Sequence, residues 1–226
     1  MGIGLLLALG CAKARVEQTH DWAYGEHPPR PEVMLVYDFT ADPATVRVDP
    51  SRARALENAG ADPQQAVSAE AARILAEELT ARVRQMGYRA RRAELPGPTP
   101  AETVLIKGHF VYVDQGNSLT RNVIGFGVGS TEQRMRIQVH QLEKTGPRFL
   151  AEAEVVSRGS EGPGLLGTGP AAGAAAGAAE ATVTGDERER GRGVRADAVR
   201  AADEIARVLR ERFSAWGWRP QRPPAR

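Results

Sequence analysis

The sequence predicts an α/β fold of the α+β type: a two-layer sandwich in which a five-stranded mixed sheet carries two long helices on one face, with a Gly/Ala-rich insertion. Three observations predict it. Apolar residues recur at helical spacing in 62–87 and again in 194–217. They alternate with polar residues in the stretches between, and the order of these stretches is strand, helix, four strands, helix. The composition agrees, since 42% apolar residues and 26% charged ones suit a single globular domain. A net charge of +2 leaves no dominant basic surface and argues against a nucleic-acid partner.

Residues 11–31 are polar and end in Pro28, Pro29 and Pro31, a composition that predicts an extended tether. The folded domain, 32–218, opens with Val33 to Phe39, a β-branched and aromatic run bounded by Pro31 and Asp42-Pro43 that reads as a buried strand. Ser51 to Gly60 reads as a brief helix. The next helix is framed by Asp62 as cap, Pro63 at its first position and Gly87 as its stop, with Val67, Ala71, Ile74, Leu75, Leu79, Val83 and Met86 facing inward. Tyr88 to Ala93 is a short return strand, and the Pro-rich residues 96–100 turn the chain into Val104 to Val113. There Val104, Ile106, Gly108, Phe110 and Tyr112 share a face opposite Lys107 and His109. Met135, Ile137 and Val139 alternate with Arg134, Arg136, Gln138 and His140 in a fourth strand. Phe149, Ala151, Ala153 and Val155 alternate with Glu152 and Glu154 in a fifth. The last helix runs from Val194 to Trp216, stopped by Gly217, and 219–226 is a disordered tail. With the first two strands parallel and the later ones alternating in direction, the third strand returns toward the end where the first begins.

Two segments stand outside this plan. The connection from Asp114 to Gln133 is too long for a hairpin turn and holds Arg121, Val123, Ile124, Gly125, Phe126, Gly127 and Gly129. A strand follows these glycines, whereas a phosphate loop needs them to open a helix. They read either as positive-φ turn positions or as a partner-binding loop, and valine at Gly127 is expected to do more harm than valine at Gly159. The second segment is the insert 162–193, which is free of charge over 162–179 and charged and flexible over 185–191. Gly169, Gly173 and Gly177 are spaced by four, a helix-packing stripe if Pro170 starts a helix. A helical, a membrane-inserted and a disordered reading of this stretch all stand.

No His-Glu-x-x-His, Gly-x-Ser-x-Gly, P-loop lysine or Ser-x-x-Lys pattern occurs, so hydrolase and kinase readings lose their usual support. The expectation is a protein that is not an enzyme and uses no cofactor and no metal. His109 and His140 lie on polar strand faces and could approach each other, but no carboxylate pattern joins them. Asp38 suits a loop cap at the end of the first strand.

The single cysteine excludes an internal disulfide. It follows an uncharged run from Ile3, and Ala8-Leu9-Gly10-Cys11 resembles the lipobox of bacterial lipoproteins, departing from it at Ala8, where Leu is usual. The resemblance implies that residues 1–10 are a signal peptide and that Cys11 carries the lipid, palmitate included, as the mature N-terminus. Ala12, in place of Asp, implies release to the outer membrane, with the domain on the periplasmic face. The Val36-Tyr37-Asp38-Phe39 strand, the Gly108-His109-Phe110 strand, Arg121 with Ile124-Gly125-Phe126-Gly127-Val128-Gly129, the Gly/Ala stretch and the helix ending in Gly217-Trp218 together resemble a family of uncharacterised bacterial lipoproteins, domain of unknown function 4410, over about 33–217. That resemblance implies location and fold, since the family has no established activity. The expected function is a non-catalytic, membrane-anchored envelope lipoprotein that binds or scaffolds another envelope component. The alternative is an oligomeric membrane-associated assembly or pore subunit that uses its Gly-rich segments, and an envelope enzyme comes third.

Overall fold

A computed structural model describes residues 13–93, 102–116, 131–159 and 183–220. The chain is a mixed α/β sandwich whose sheet has eight strands among the described residues, more than the five expected. They are β1 (Lys13–Asp21), β2 (Val33–Tyr37), β3 (Thr40–Ala41), β4 (Val46–Arg47), β5 (Ala90–Ala93), β6 (Thr103–Asp114), β7 (Glu132–Glu143) and β8 (Gly146–Arg158). The helices are α1 (Pro50–Asn58), α2 (Pro63–Gln85) and α3 (Val183–Ala215). The sheet order is β1-β8-β7-β6-β2-β5, and β3 and β4 pair with β6 beyond the end of β2.

The local signals work as their chemistry dictates. Asp62 accepts from the Gln65 amide at 2.7 Å and caps α2, while Asp49 accepts from Ser51 and caps α1. α3 ends at Gly217, whose φ of 77° lets the Trp218 amide donate back to the Phe213 carbonyl at 2.8 Å. α2 and α3 pack side by side on one sheet face. Val67, Ala71, Leu75 and Leu79 of α2 and Ala198, Ala202, Ile205 and Phe213 of α3 enclose Met34, Val36, Val104, Ile106, Met135 and Val155 in one core. Gly108 belongs to this packing, because a Cβ there would lie 2.1 Å from Phe39 Cε1. On the opposite face Leu35, Tyr37 and Leu105 form a small second cluster.

Several expectations change. The tether ends before it begins: Lys13–Asp21 is an edge strand antiparallel to β8, Lys13 opposite Arg158 and Asp21 opposite Ala151. Its polar composition hides an alternation in which Val16 packs on the core and the Asp21 carboxylate is met by Arg212, Trp216 Nε1 and the Ala23 amide. α3 starts at Val183, so 183–193 is helix rather than flexible insert. Glu and Arg, which fill much of this stretch, are strong helix formers. Two bulges turn residues over. One lies between Phe110 and Tyr112, sending Val113 into the core and Tyr112 to the other face. The second lies between Val139 and His140, so that Leu150 is the buried residue while Phe149 meets the His140 ring on the other face at 4.8 Å. Finally, β6 runs parallel to β2, not back along it, because β5 occupies one edge of β2 and β6 takes the other from the same starting end. The nine residues 94–102 between β5 and β6 are long enough for that return, at roughly 30 Å fully extended.

Candidate interaction edge

Strand direction sorts the molecule into two ends. β6 and β8 finish, and β1 and β7 start, at one end, where Asp114 lies opposite Glu132, Glu132 opposite Arg158 and Arg158 opposite Lys13. This is the loop end. The described chain stops at Gly116 and resumes at Thr131, and stops again at Gly159. The stems of both Gly-rich segments and the first strand residue after Cys11 therefore share one edge. Alternating strand directions predict that the third strand returns to the end where β2 begins, but β6 runs parallel to β2, so both stems lie at the opposite end. The start of β1 joins the two stems at that end because β1 runs the length of the sheet antiparallel to β8.

The stems are stapled together. The Gly159 amide donates to the Thr131 carbonyl at 2.8 Å, and a Cβ on Gly159 would lie 2.5 Å from Thr131 Oγ1. Gly159 is therefore a close-contact position where an added side chain must displace Thr131, while Gly127 lies outside the described residues. On the other stem the Asp114 carboxylate accepts from the Gly116 amide and from the Tyr112 hydroxyl, each at 2.7 Å. Gly116 has φ 67°, so the chain leaves β6 through a turn that favours glycine. Burial raises the Tyr112 phenol, helped by the hydrogen bond to Asp114, and keeps it a proton donor while Arg47 stands 5.6 Å over its ring.

Below the edge, the helix-covered face changes from apolar to polar. Gln115, Thr131, Gln133 and Ser157 are buried there, and the Asp49 amide donates to Gln115 Oε1 at 3.4 Å. Ser157 Oγ donates to the Asp197 carbonyl of α3 at 3.2 Å. Asp197 is fully buried and pairs with Arg200. On the open face, Arg134 lies between Glu17, Glu132 and Glu154 at 3.6–3.8 Å, and Arg136 reaches Glu154 and Glu152 at 3.4 and 3.8 Å. These half-exposed pairs fix side-chain positions more than they stabilise, at up to about 1 kcal/mol each.

The far end is aromatic. Phe213, Trp216 and Trp218 lie within 5.0–6.0 Å of one another, and Tyr88 meets Phe213 edge-on at 5.2 Å. This knot grips the chain between β1 and β2: Trp218 Nε1 donates to the Pro28 carbonyl at 2.7 Å and Gln141 Nε2 to the Pro29 carbonyl at 2.6 Å.

Cys11, Arg121, Val123, Ile124, Gly125, Phe126, Gly127, Gly129, Gly169, Gly173 and Gly177 lie outside the described residues, and only their stems are placed. His109 and His140 are not brought together. His109 lies opposite Arg136 and His140 opposite Leu105, about 13 Å apart along β6. Among the described residues no group of three His, Cys, Asp or Glu could hold a metal ion. Asp38 does not cap a loop but pairs with Arg92 through both carboxylate oxygens. The feature that sequence reasoning missed is β1, whose signal was Val16 followed by the aromatic residues Trp22 and Tyr24 inside the supposed tether.

The chain belongs to a family described as a domain of unknown function, DUF4410, whose family model matches residues 34–183. The match stops where α3 begins, short of the 33–217 that the motifs suggested. No curated protein matches the chain. Among solved structures, a PelC dodecamer from Paraburkholderia phytofirmans is similar at 9% identity and a TM-score of 0.37, covering 84% of this chain and 97% of its own. The hypothetical protein CT253 from Chlamydia trachomatis is similar at 11% identity and 0.40, over 82% of this chain and 98% of its own. Protein XCC0632 from Xanthomonas campestris, of the DUF330 family, is similar at 10% identity and 0.33, over 83% and 94%. Likeness at these scores carries nothing about activity or assembly.

Proposed function

We propose that this chain is a non-catalytic lipoprotein of the bacterial outer membrane, anchored through Cys11 on the periplasmic face, whose loop end binds or scaffolds another envelope component. The observation that carries the reading is the position of β1. Its first residue, Lys13, is two positions after Cys11 and opposite Arg158, on the edge that bears the stems of 117–130 and 160–182. Two residues reach about 7 Å, so a lipid on Cys11 holds that edge against the bilayer instead of letting the domain drift on a tether. Acyl chains contribute about 0.8 kcal/mol per buried CH₂, which makes a doubly or triply acylated anchor durable. Arg121, Val123, Ile124, Phe126 and Val128 then belong to a loop that starts and ends at the membrane side. No described helix is long and apolar enough to cross a membrane, so this reading rests on the lipid.

The test is Cys11→Ser in cells with radiolabelled palmitate and membrane fractionation. The variant should lose the label and leave the outer membrane as an uncleaved or soluble precursor. An unchanged distribution would remove the anchor and, with it, the reason to place the loop end at the bilayer.

A further inference from the structure

We propose that the aromatic end holds a binding site for a small organic anion bearing a carboxylate or phosphate group. A cleft of about 470 Å³ opens there, bounded by Met86, Tyr88, Ser214 and Trp218 and by the guanidinium-bearing side chains of Arg210 and Arg219. That volume falls in the range of small-ligand sites, whose walls are mostly apolar with a few convergent polar groups.

The arginine on its α3 wall differs from the other described arginines of that helix. In the described part of α3, Arg195 pairs with Glu78, Arg200 with Asp197, Arg207 with Glu204 and Glu211, and Arg212 with Asp21. Arg210 has no carboxylate partner among the described residues, nor has Arg219. Arg30 likewise meets no acid and stands 5.8 Å over the Tyr88 ring.

The walls are fixed before any ligand arrives. The Tyr88 hydroxyl donates to the Trp218 carbonyl at 2.9 Å, and Trp218 Nε1 is committed to Pro28. Tyr88 and Trp218 therefore contribute ring surface, while the two guanidinium forks supply paired donors suited to a carboxylate or a phosphate. The chemistry is an anionic group carried on a compact apolar or ring-bearing body. Nothing in this inference depends on Cys11 or the membrane, so it stands or falls apart from the anchoring reading.

The experiment titrates the full chain with phenyl phosphate and with phenylacetate, following tryptophan emission and calorimetry, with benzyl alcohol as the neutral probe. At least one anion should bind saturably, and the stronger of the two identifies the group the cleft prefers. Arg210→Gln combined with Arg219→Gln should weaken that anion about tenfold or more, the size expected on losing charge-assisted hydrogen bonds. Arg207→Gln, one turn away on an acid-paired arginine, should leave it unchanged. Absence of saturable binding by both anions, equal binding of benzyl alcohol, or an equal loss in Arg207→Gln would overturn the proposal.

Discussion

The two ends of the sandwich solve the same problem with different residues. At the aromatic end, Phe213, Trp216, Trp218 and Tyr88 fill the gap between helices and sheet and hold the crossing chain by indole and amide hydrogen bonds. At the loop end, Gln115, Thr131, Gln133, Ser157 and Asp197 occupy the equivalent layer, and backbone contacts such as Gly159 to Thr131 hold the stems. The first end concentrates apolar burial in a few large side chains. The second spreads its contacts over polar groups that need defined partners, and it is the end from which both Gly-rich segments depart. The difference teaches where the two kinds of contact are separated: one end locks the fold by apolar burial, and the other forms the polar rim at which the stems of both Gly-rich segments lie.

The largest effect should come from breaking the lock. Trp216→Ala removes a side chain that is 2% exposed, and chemical denaturation should show a loss of about 3–5 kcal/mol, the range for large aromatic truncations. A loss under about 1 kcal/mol would mean that the aromatic end is not the lock. Gly159→Val strikes the loop end. With a Cβ only 2.5 Å from Thr131 Oγ1, it should cost about 1–3 kcal/mol by overpacking and shift the stems, visible as amide-exchange changes confined to 131–134 and 156–159. Equal changes at both ends would erase the distinction between them.

The smallest effect is a pH slope at the aromatic end. Burial lowers the His140 imidazole below its ordinary value, and Lys107 adds to the shift. Its ring lies against Phe149 and 3.4 Å from Gln138 Oε1. The unfolded chain takes up that proton first, near pH 6.5, so stability should fall as the pH drops from about 6.5 toward the folded value. His140→Gln should flatten that part of the stability profile. An unchanged slope in the variant would assign it to another group.

Much of the fold was legible because its signals are local. Asp62, Pro63 and Gly87 mark α2 by capping chemistry, and alternation in 104–113 and 134–140 marks strands by side-chain period. What was not legible depended on partners distant in sequence. β1 is polar because an edge strand needs only one paired side, and its inward Asp21 is tolerated only because Arg212, some 190 positions later, meets it. The two bulges were invisible for the same reason, since a single extra residue turns over Tyr112 and Phe149 without altering composition. The parallel course of β6 follows from which edge of β2 was left open, which no local pattern encodes. Of the candidate site, the sequence named the Gly-rich segments, while their common edge came from strand pairing.

The central claim is that the loop end faces the bilayer and the aromatic end faces away from it. β7 spans the distance between them, from Glu132 to Glu143, about 37 Å along the strand. The most direct measurement places a nitroxide on Glu132→Cys or on Lys144→Cys in the lipidated protein, reconstituted in phospholipid vesicles, and reads collision with oxygen against collision with a water-soluble nickel chelate. The label at 132 should lie at headgroup depth and the label at 144 in bulk water. Equal water exposure at both positions, or a label at 144 nearer the lipid than the one at 132, would contradict the orientation.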